Sequence, residues 1–414
     1  DEIPHWDVDI KRALSAISAG DKHILIPRMN NHAVMLGAAM RAFGVKARVL
    51  PEQDDRNLMY GNMVSSGKEC LPYRVTIGDF MKFYYDNRNN GYDFSQVAGF
   101  MPSAYGPCRF GKYAVEQMRQ LRDIGFNLQL ETTVSNAGYR DFGLGIAFER
   151  LAWKGIVGVD YLQRLLWRFR PYERISRTAD ALFDKYMALL EQHVEAKADI
   201  NDLLKEAVQE FKAIIDPDLP RRPLVGINGE IFLRTNRFSN CDLERECERV
   251  GLEVMVSPMG EWLNYVTHRY IEDAVKFRSI KKLIRGKIKR RIQNSDERSV
   301  MRNFDGVFDV HDPAIKEVLD YSKHYLSPKC GSEAVLSIGT GIEWMENSHF
   351  AGVISVMPHG CMPGGIVAAM SEHFSAEYGK PWVNLTYDGF MENTNQTKIS
   401  NLAEILKYTS GGIG

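Results

Sequence analysis

KHILIPRMNNHAVMLGAAMRAFGVKARVL, residues 22–50, decides the fold class. The run 22–27 is short and apolar, 31–43 has helical spacing with Ala and Met on one side, Gly44 stops that helix, and 45–50 turns apolar again. This is a β-α-β unit. Past the loop carrying Cys70 the pattern predicts a helix over 75–87, a buried strand over 97–102, a helix over 111–124 and a strand over 126–133. From 142 to 212 the period is helical almost throughout, with Trp153, Trp167, Leu182 and Leu189 among the expected buried positions. The turn-rich break Asp216-Pro217-Asp218-Leu219-Pro220 precedes apolar strand material over 224–232. Alternation then resumes, with helix 240–250, strand 252–256, mainly helix over 261–291, helices 312–324 and 331–345, strand 352–357, helix 365–378, strand 382–387 and a last helix over 402–407. The expectation is an α/β protein of two Rossmann-like lobes with parallel sheets. The first lobe is 1–141, a helical connector runs over 142–220, and the second lobe, with a helical insertion, is 221–414.

A chain of 414 residues, 44% hydrophobic and 25% charged, can build two or three cores. Its formal net charge of -1 gives no general attraction to nucleic acid or an anionic membrane. There is no membrane-length apolar run and no basic-then-apolar leader, so a cytoplasmic location is expected. The chain opens at Asp1 without Met, which fits a processed form, a trimmed chain or the C-terminal piece of a longer polypeptide.

Six cysteines are present: Cys70, Cys108, Cys241, Cys247, Cys330 and Cys361. No two form a C-x-x-C pair, which argues against a zinc knuckle, a thioredoxin-like motif and a ferredoxin run. Three lie in Gly- and Pro-rich segments: Lys68-Glu69-Cys70-Leu71-Pro72, Gly106-Pro107-Cys108-Arg109-Phe110-Gly111 and Pro358-His359-Gly360-Cys361-Met362-Pro363. Ligands collect beyond the carboxyl ends of strands in open parallel sheets. Cys108 follows the strand ending at 102 and Cys361 the strand ending at 357, so both can face one interlobe cleft, where thiolates from separate loops would hold an iron-sulfur centre. Cys330, in Pro328-Lys329-Cys330-Gly331-Ser332-Glu333, sits at an expected helix N-terminus that favours thiolate and is a tentative fourth ligand. Cys241 and Cys247, six positions apart in a helical run, point about 120° apart and read as buried apolar thiols. A structural zinc site of four cysteines is disfavoured by the absence of close pairs.

The chain resembles the 2-hydroxyacyl-CoA dehydratase superfamily, and more closely the cysteine-rich region of acyl-CoA dehydratase activase-related proteins. The resembling stretches are Ile26-Pro27-Arg28-Met29 with His32, Ser66-Gly67-Lys68-Glu69-Cys70, the Cys108 and Cys361 motifs, Gly229-Glu230-Ile231-Phe232-Leu233-Arg234 with Asn236 and Phe238-Ser239-Asn240, and Glu261-Trp262. They run in one order across nearly the whole chain. The resemblance implies a four-iron four-sulfur cluster in the interlobe cleft, held by Cys70, Cys108 and Cys361 with one iron open. It implies an electron-accepting component of an ATP-dependent dehydratase or reductase, a CoA thioester substrate, and assembly as a homo- or hetero-oligomer. ATP would be hydrolysed by an activase subunit or a fused ATPase region, because no G-x-x-x-x-G-K-[ST] motif occurs here and Gly339-Thr340-Gly341 is too short for a dinucleotide fingerprint. Related double-cubane proteins carry an 8Fe-9S cluster on six cysteines, the number present here. A fourth ligand at Cys330 would close the cluster and make the chain an electron relay or cluster scaffold.

His359 is placed to donate to a sulfur or a substrate oxygen, and Arg109 and Lys68 to offset cluster charge or bind a CoA phosphate; each also reads as ordinary backbone satisfaction or a solvated cation. Phe110, Met357 and Met362 are candidates for excluding water. Arg28 and His32 lie just past the first strand, where helix capping or an interlobe contact is the favoured role. The run 276–291, rich in Lys and Arg, is expected to be a helix with a solvated basic face and an apolar side of Ile280, Leu283, Ile284 and Ile288; docking of an acidic partner or a CoA tail is the alternative.

Overall fold

Ile24, Leu25 and Ile26 are buried on both faces of their strand, as the apolar run requires of a strand inside a parallel sheet. The computed structural model describes residues 22–410 except 105, 107, 134–142 and 391–392. The expected domain edge at 141/142, the outer segments 1–21 and 411–414, and Pro107 of the second cysteine motif lie outside the described residues.

The first sheet contains β1 (His23–Ile26), β2 (Ala47–Val49), β3 (Val97–Phe100) and β4 (Leu130–Glu131), interleaved with α1 (His32–Ala42), α2 (Asp55–Val64), α3 (Leu71–Asn87) and α4 (Tyr113–Asp123). Three long helices follow: α5 (Gly145–Phe169), α6 (Thr178–Glu195) and α7 (Asn201–Ala213). The second sheet contains β5 (Leu224–Gly229), β6 (Glu253–Val256), β7 (Phe350–Pro358) and β8 (Trp382–Tyr387). Its helices are α8 (Leu243–Arg249), α9 (Met259–Lys276), α10 (Ile280–Met301), α11 (Ile315–Ser322), α12 (Glu333–Glu346), α13 (Met362–Tyr378) and α14 (Asn393–Ser410).

Both sheets have four strands, all pairs parallel, in the orders β2-β1-β3-β4 and β6-β5-β7-β8. The two orders are the same winding repeated. Each sheet reverses direction once, between β1 and β3 or between β5 and β7, and a crevice opens beyond the carboxyl ends at each reversal. Helices α5 to α7 share one apolar core with α1 and the first sheet, through Met35, Ala38, Val157, Leu190 and Leu204. Trp153 and Trp167 are buried as expected, while Leu182 and Leu189 are half-buried and Tyr186 and Leu190 take the inner positions.

Several elements differ from expectation for local reasons. Helix α2 is additional to the expected elements; it starts on a capping box in which Arg56 N–H donates to Asp54 at 3.0 Å and Asp54 N–H to Asn57 at 3.0 Å. The expected strand 126–133 pairs only at Leu130–Glu131. The strand expected over 224–232 ends at Gly229, whose φ of +112° and whose missing Cβ, only 2.1 Å from Val356 O if present, turn the chain sharply toward Glu230. Helix α10 forms as expected, and its apolar side is open, with Ile280, Ile284 and Ile288 exposed and Leu283 half-buried. Cys247 is buried, but Cys241 is exposed and precedes α8 instead of lying within it, which corrects the expectation of a buried helical pair. No described helix is long and apolar enough to cross a membrane.

Candidate cysteine-lined cavity between the lobes

The two crevices face one another and merge into a cavity of about 370 Å³. Its walls come from all four strand ends at the reversals: Met29, Asn30 and His32 after β1, Met101 and Cys108 after β3, Glu230 and Phe232 after β5, and Pro358 and Cys361 after β7. Cys70, at the start of α3, completes the cysteine end. The other end is an apolar sleeve between α5, α9 and α10, formed by Phe148, Trp153, Trp262, Val266 and Ile292. Its ionic groups are paired, Arg150 with Asp296 at 2.7 Å and Lys289 with Glu149 at 3.7 Å.

Each cavity cysteine immediately precedes a helical turn. Cys70 caps α3, with Pro72 in the first turn; Cys108 precedes the 3₁₀ turn Arg109–Lys112 that runs into α4; Cys361 caps α13 and accepts the Gly364 N–H at 3.4 Å. Free backbone N–H groups and the positive helix end therefore face each sulfur and favour a negative charge there. The Cys70 sulfur also meets the Tyr113 hydroxyl. Without a bound cation, enclosure by protein dominates. Burial raises the Cys70 thiol despite the Tyr113 hydrogen bond, pushes the Cys108 thiol up to about 11 although its side chain opens onto the cavity rim, and raises Cys361 as well. Thiols held neutral in this way are the kind a bound metal deprotonates outright.

Arg109 ties the loops together. Its guanidinium donates to Lys68 O, in the Cys70 loop, and to Gly360 O, in the Cys361 loop, at 2.9 Å for the latter. The fork that was a candidate for offsetting cluster charge is thus engaged with two carbonyls, and it pins three cysteine loops to one another. Glu69 locks the same region by accepting from Ser65 Oγ at 2.8 Å and Ser66 N–H at 2.9 Å; these bonds outweigh the effect of burial and hold its carboxyl below the ordinary range.

The remaining expected residues separate. Phe110 and Met362 line the cavity, whereas Met357 does not. Lys68 is exposed and contributes its carbonyl. His359 is exposed, lies outside the cavity wall, and donates its backbone N–H to Tyr387 O at 2.8 Å. Cys330 is exposed on the short turn Pro328–Cys330, three residues ahead of α12, and it is Gly331, Ser332 and Glu333 that line the cavity.

Two acidic residues were missed as functional candidates. Glu230 accepts Leu233 N–H at 2.9 Å and Phe232 N–H at 3.2 Å, and Glu333 has an oxygen, Oε1, without a hydrogen-bond partner. Burial raises both carboxyls, Glu333 strongly, with the charge of Glu230 adding to the effect. The readable signal for Glu230 was its position directly after a strand-ending Gly. Behind them Arg234, 1% exposed, pairs with Glu261 at 3.3 Å. The lobes are joined nearby by Asn236 Nδ2, which donates to Met29 O at 2.8 Å and Gln53 Oε1 at 3.1 Å.

Among the described residues no group of three or more His, Cys, Asp and Glu side chains converges as the ligands of a single metal ion would. Comparison with protein-family models and with curated proteins gives no match to this chain.

Proposed function

We propose that this chain is an iron-sulfur protein that accepts a low-potential electron and delivers it to an acyl thioester bound between the lobes, as the electron-accepting component of an ATP-dependent dehydratase or reductase system. The observation that carries the reading is the meeting of Cys70, Cys108 and Cys361, from loops of two separate sheets and each ahead of a helical turn, on the wall of one cavity. These three residues would hold a four-iron four-sulfur cluster. Bound there, it would supply a low-potential electron and an iron position open to a substrate oxygen.

The chain's own residues have defined tasks in this reading. Helix N-termini stabilise the thiolates, and Arg109 fixes the spacing of their loops. Phe110 and Met362 line the cysteine end, and the aromatic sleeve at the other end receives the apolar body of the substrate. Glu230 and Glu333, whose carboxyls burial raises toward the neutral form, place polar groups beside the cysteines, which suits a neutral thioester. ATP hydrolysis belongs to a separate activase subunit or a fused region. The place of Cys330 outside the cavity wall favours a three-cysteine set over a closed four-cysteine relay, and the absence of Cys241 and Cys247 from that wall favours a single cubane over a double cubane.

Anaerobic iron and sulfide quantification with electron paramagnetic resonance of the dithionite-reduced protein tests the reading. About four irons per chain are expected, lost in Cys70→Ser, Cys108→Ser and Cys361→Ser and retained in Cys330→Ser. Absence of iron after anaerobic reconstitution of the unaltered chain removes the reading.

A further inference from the structure

His32 is the first residue of α1 and lies on the cavity wall, yet its side chain is only 4% exposed. Its Nε2 meets Asp160 Oδ1, on α5, at 2.8 Å. Asp160 is 9% exposed and is fixed by the first amides of α9, with Met259 N–H donating to Oδ1 at 2.8 Å and Gly260 N–H to Oδ2 at 2.9 Å. A carboxylate that already gathers two amide donors takes a third from the imidazole, so Nε2 carries the proton of the neutral ring. The lone pair is left on Nδ1. That atom is buried and has no hydrogen-bond partner among the described residues. Core histidines ordinarily satisfy both nitrogens; this one is satisfied on the side of Asp160 and left open in a residue that lines the cavity.

The surroundings do not supply a competing partner. Asn30, the nearest polar neighbour in sequence on the same wall, spends its amide on Thr235 Oγ1 at 3.2 Å. Behind Asp160 lie Arg164, Glu297 and Asp312, with Arg164 paired to Asp312 at 2.9 Å and Glu297 accepting from Asn264 at 3.2 Å. Elsewhere on the wall the cations Arg150 and Lys289 are paired, and Glu230 and Glu333 stand beside the cysteines.

We propose that His32 is the acid-base residue of the cavity and Asp160 its positioning residue: Nδ1 takes a proton from a hydroxyl or acidic C–H of a neutral ligand seated between the lobes, and later returns it. The electron pair of the broken bond stays on the ligand, and Asp160 holds the imidazolium that forms. An Asp-oriented imidazole in the wall of a largely apolar cavity is the arrangement that proton transfer needs. The inference rests on the cavity being a substrate site, as proposed above, and not on the cluster.

The test is nitrogen-15 NMR of the full chain, labelled at its ten histidines, with His32→Gln assigning the signal. At neutral pH the expected His32 signature is a protonated Nε2 and an unprotonated Nδ1. A short 2-hydroxyacyl thioester of N-acetylcysteamine is expected to shift Nδ1, and Asp160→Asn to erase the tautomer preference. In turnover with the same thioester, His32→Gln is expected to lower kcat about 10²-fold or more with KM little changed, while unfolding like the unaltered chain. A proton on Nδ1 in the resting protein, or an Nδ1 signal unmoved at the solubility limit of the thioester, overturns the proposal. Iron content reports on the cluster separately. A four-iron chain with an unmoved His32 refutes this inference alone, and an iron-free chain whose His32 responds as expected sustains it.

Discussion

Asp79→Asn would expose a pH dependence built into the joint between the lobes. Asp79, on α3, is 2% exposed and accepts from Gln53 Nε2 at 2.9 Å and Asn57 Nδ2 at 2.6 Å. Gln53 in turn accepts from Asn236 of the second lobe at 3.1 Å, so the carboxyl anchors a chain of polar contacts that crosses the interface. Burial pushes the Asp79 carboxyl from its ordinary value of 3.8 up to about 7, against the two amide hydrogen bonds. The folded state therefore holds this proton more tightly than the unfolded state. The associated stability is complete below pH 4 and is lost as the pH rises toward 7 and beyond. With about 1.4 kcal/mol per pH unit over the interval in which only the unfolded chain is ionised, the loss between pH 5 and pH 8 is about 2.5 kcal/mol. Asn has one acceptor where the carboxyl has two, so the variant should start about 1–2 kcal/mol less stable at pH 5. It should then lose less with rising pH, and the gap should close by pH 8. Urea unfolding across this range, followed by tryptophan fluorescence, measures both curves. Parallel curves for the two proteins would refute the assignment of a raised carboxyl at Asp79.

Gly229→Ala should destabilise the second lobe by about 3 kcal/mol or more, because the new Cβ would meet Val356 O at 2.1 Å on a backbone held at φ +112°; a urea midpoint within error of the parent would contradict this geometry. Arg109→Ala should cost only about 1 kcal/mol of global stability, since the guanidinium is exposed, yet should speed proteolysis near Lys68 and Gly360, the two loops it joins. Unchanged cleavage at both loops would show that Arg109 does not hold them. Mass mapping of iodoacetamide alkylation in metal-free protein should find Cys241 and Cys330 modified in the folded chain and Cys247 modified only on unfolding. Early reaction of Cys247 would mean that its core opens locally.

Where periodicity and punctuation agree, the chain could be read directly. Gly44 and the apolar runs flanking α1 mark the β-α-β unit, and the bounds 382–387 are legible because aromatic, aliphatic and β-branched residues, Trp382, Val383, Leu385, Thr386 and Tyr387, lie between Pro381 and Asp388. Helix α2 escaped because its stability comes from a capping box and contact with α3 rather than from an apolar stripe. The apolar side of α10 was legible, but its exposure was not, because an apolar period shows which residues share a face, not whether anything covers it.

The sequence by itself determined the α/β class, the alternation behind both sheets, and the three Gly- and Pro-flanked cysteine segments, since each depends on residues within a few positions of one another. Only the tertiary structure decided which chemistry meets in one place. It paired two identical windings so that their reversals face each other, put Cys70, Cys108 and Cys361 on one wall while leaving Cys330 and His359 outside it, and engaged Arg109 with loop carbonyls. It also set His32 against Asp160, 128 positions away. Contacts of that separation leave no local period or spacing in a chain, because they follow from how whole elements pack and not from the preferences of neighbouring residues.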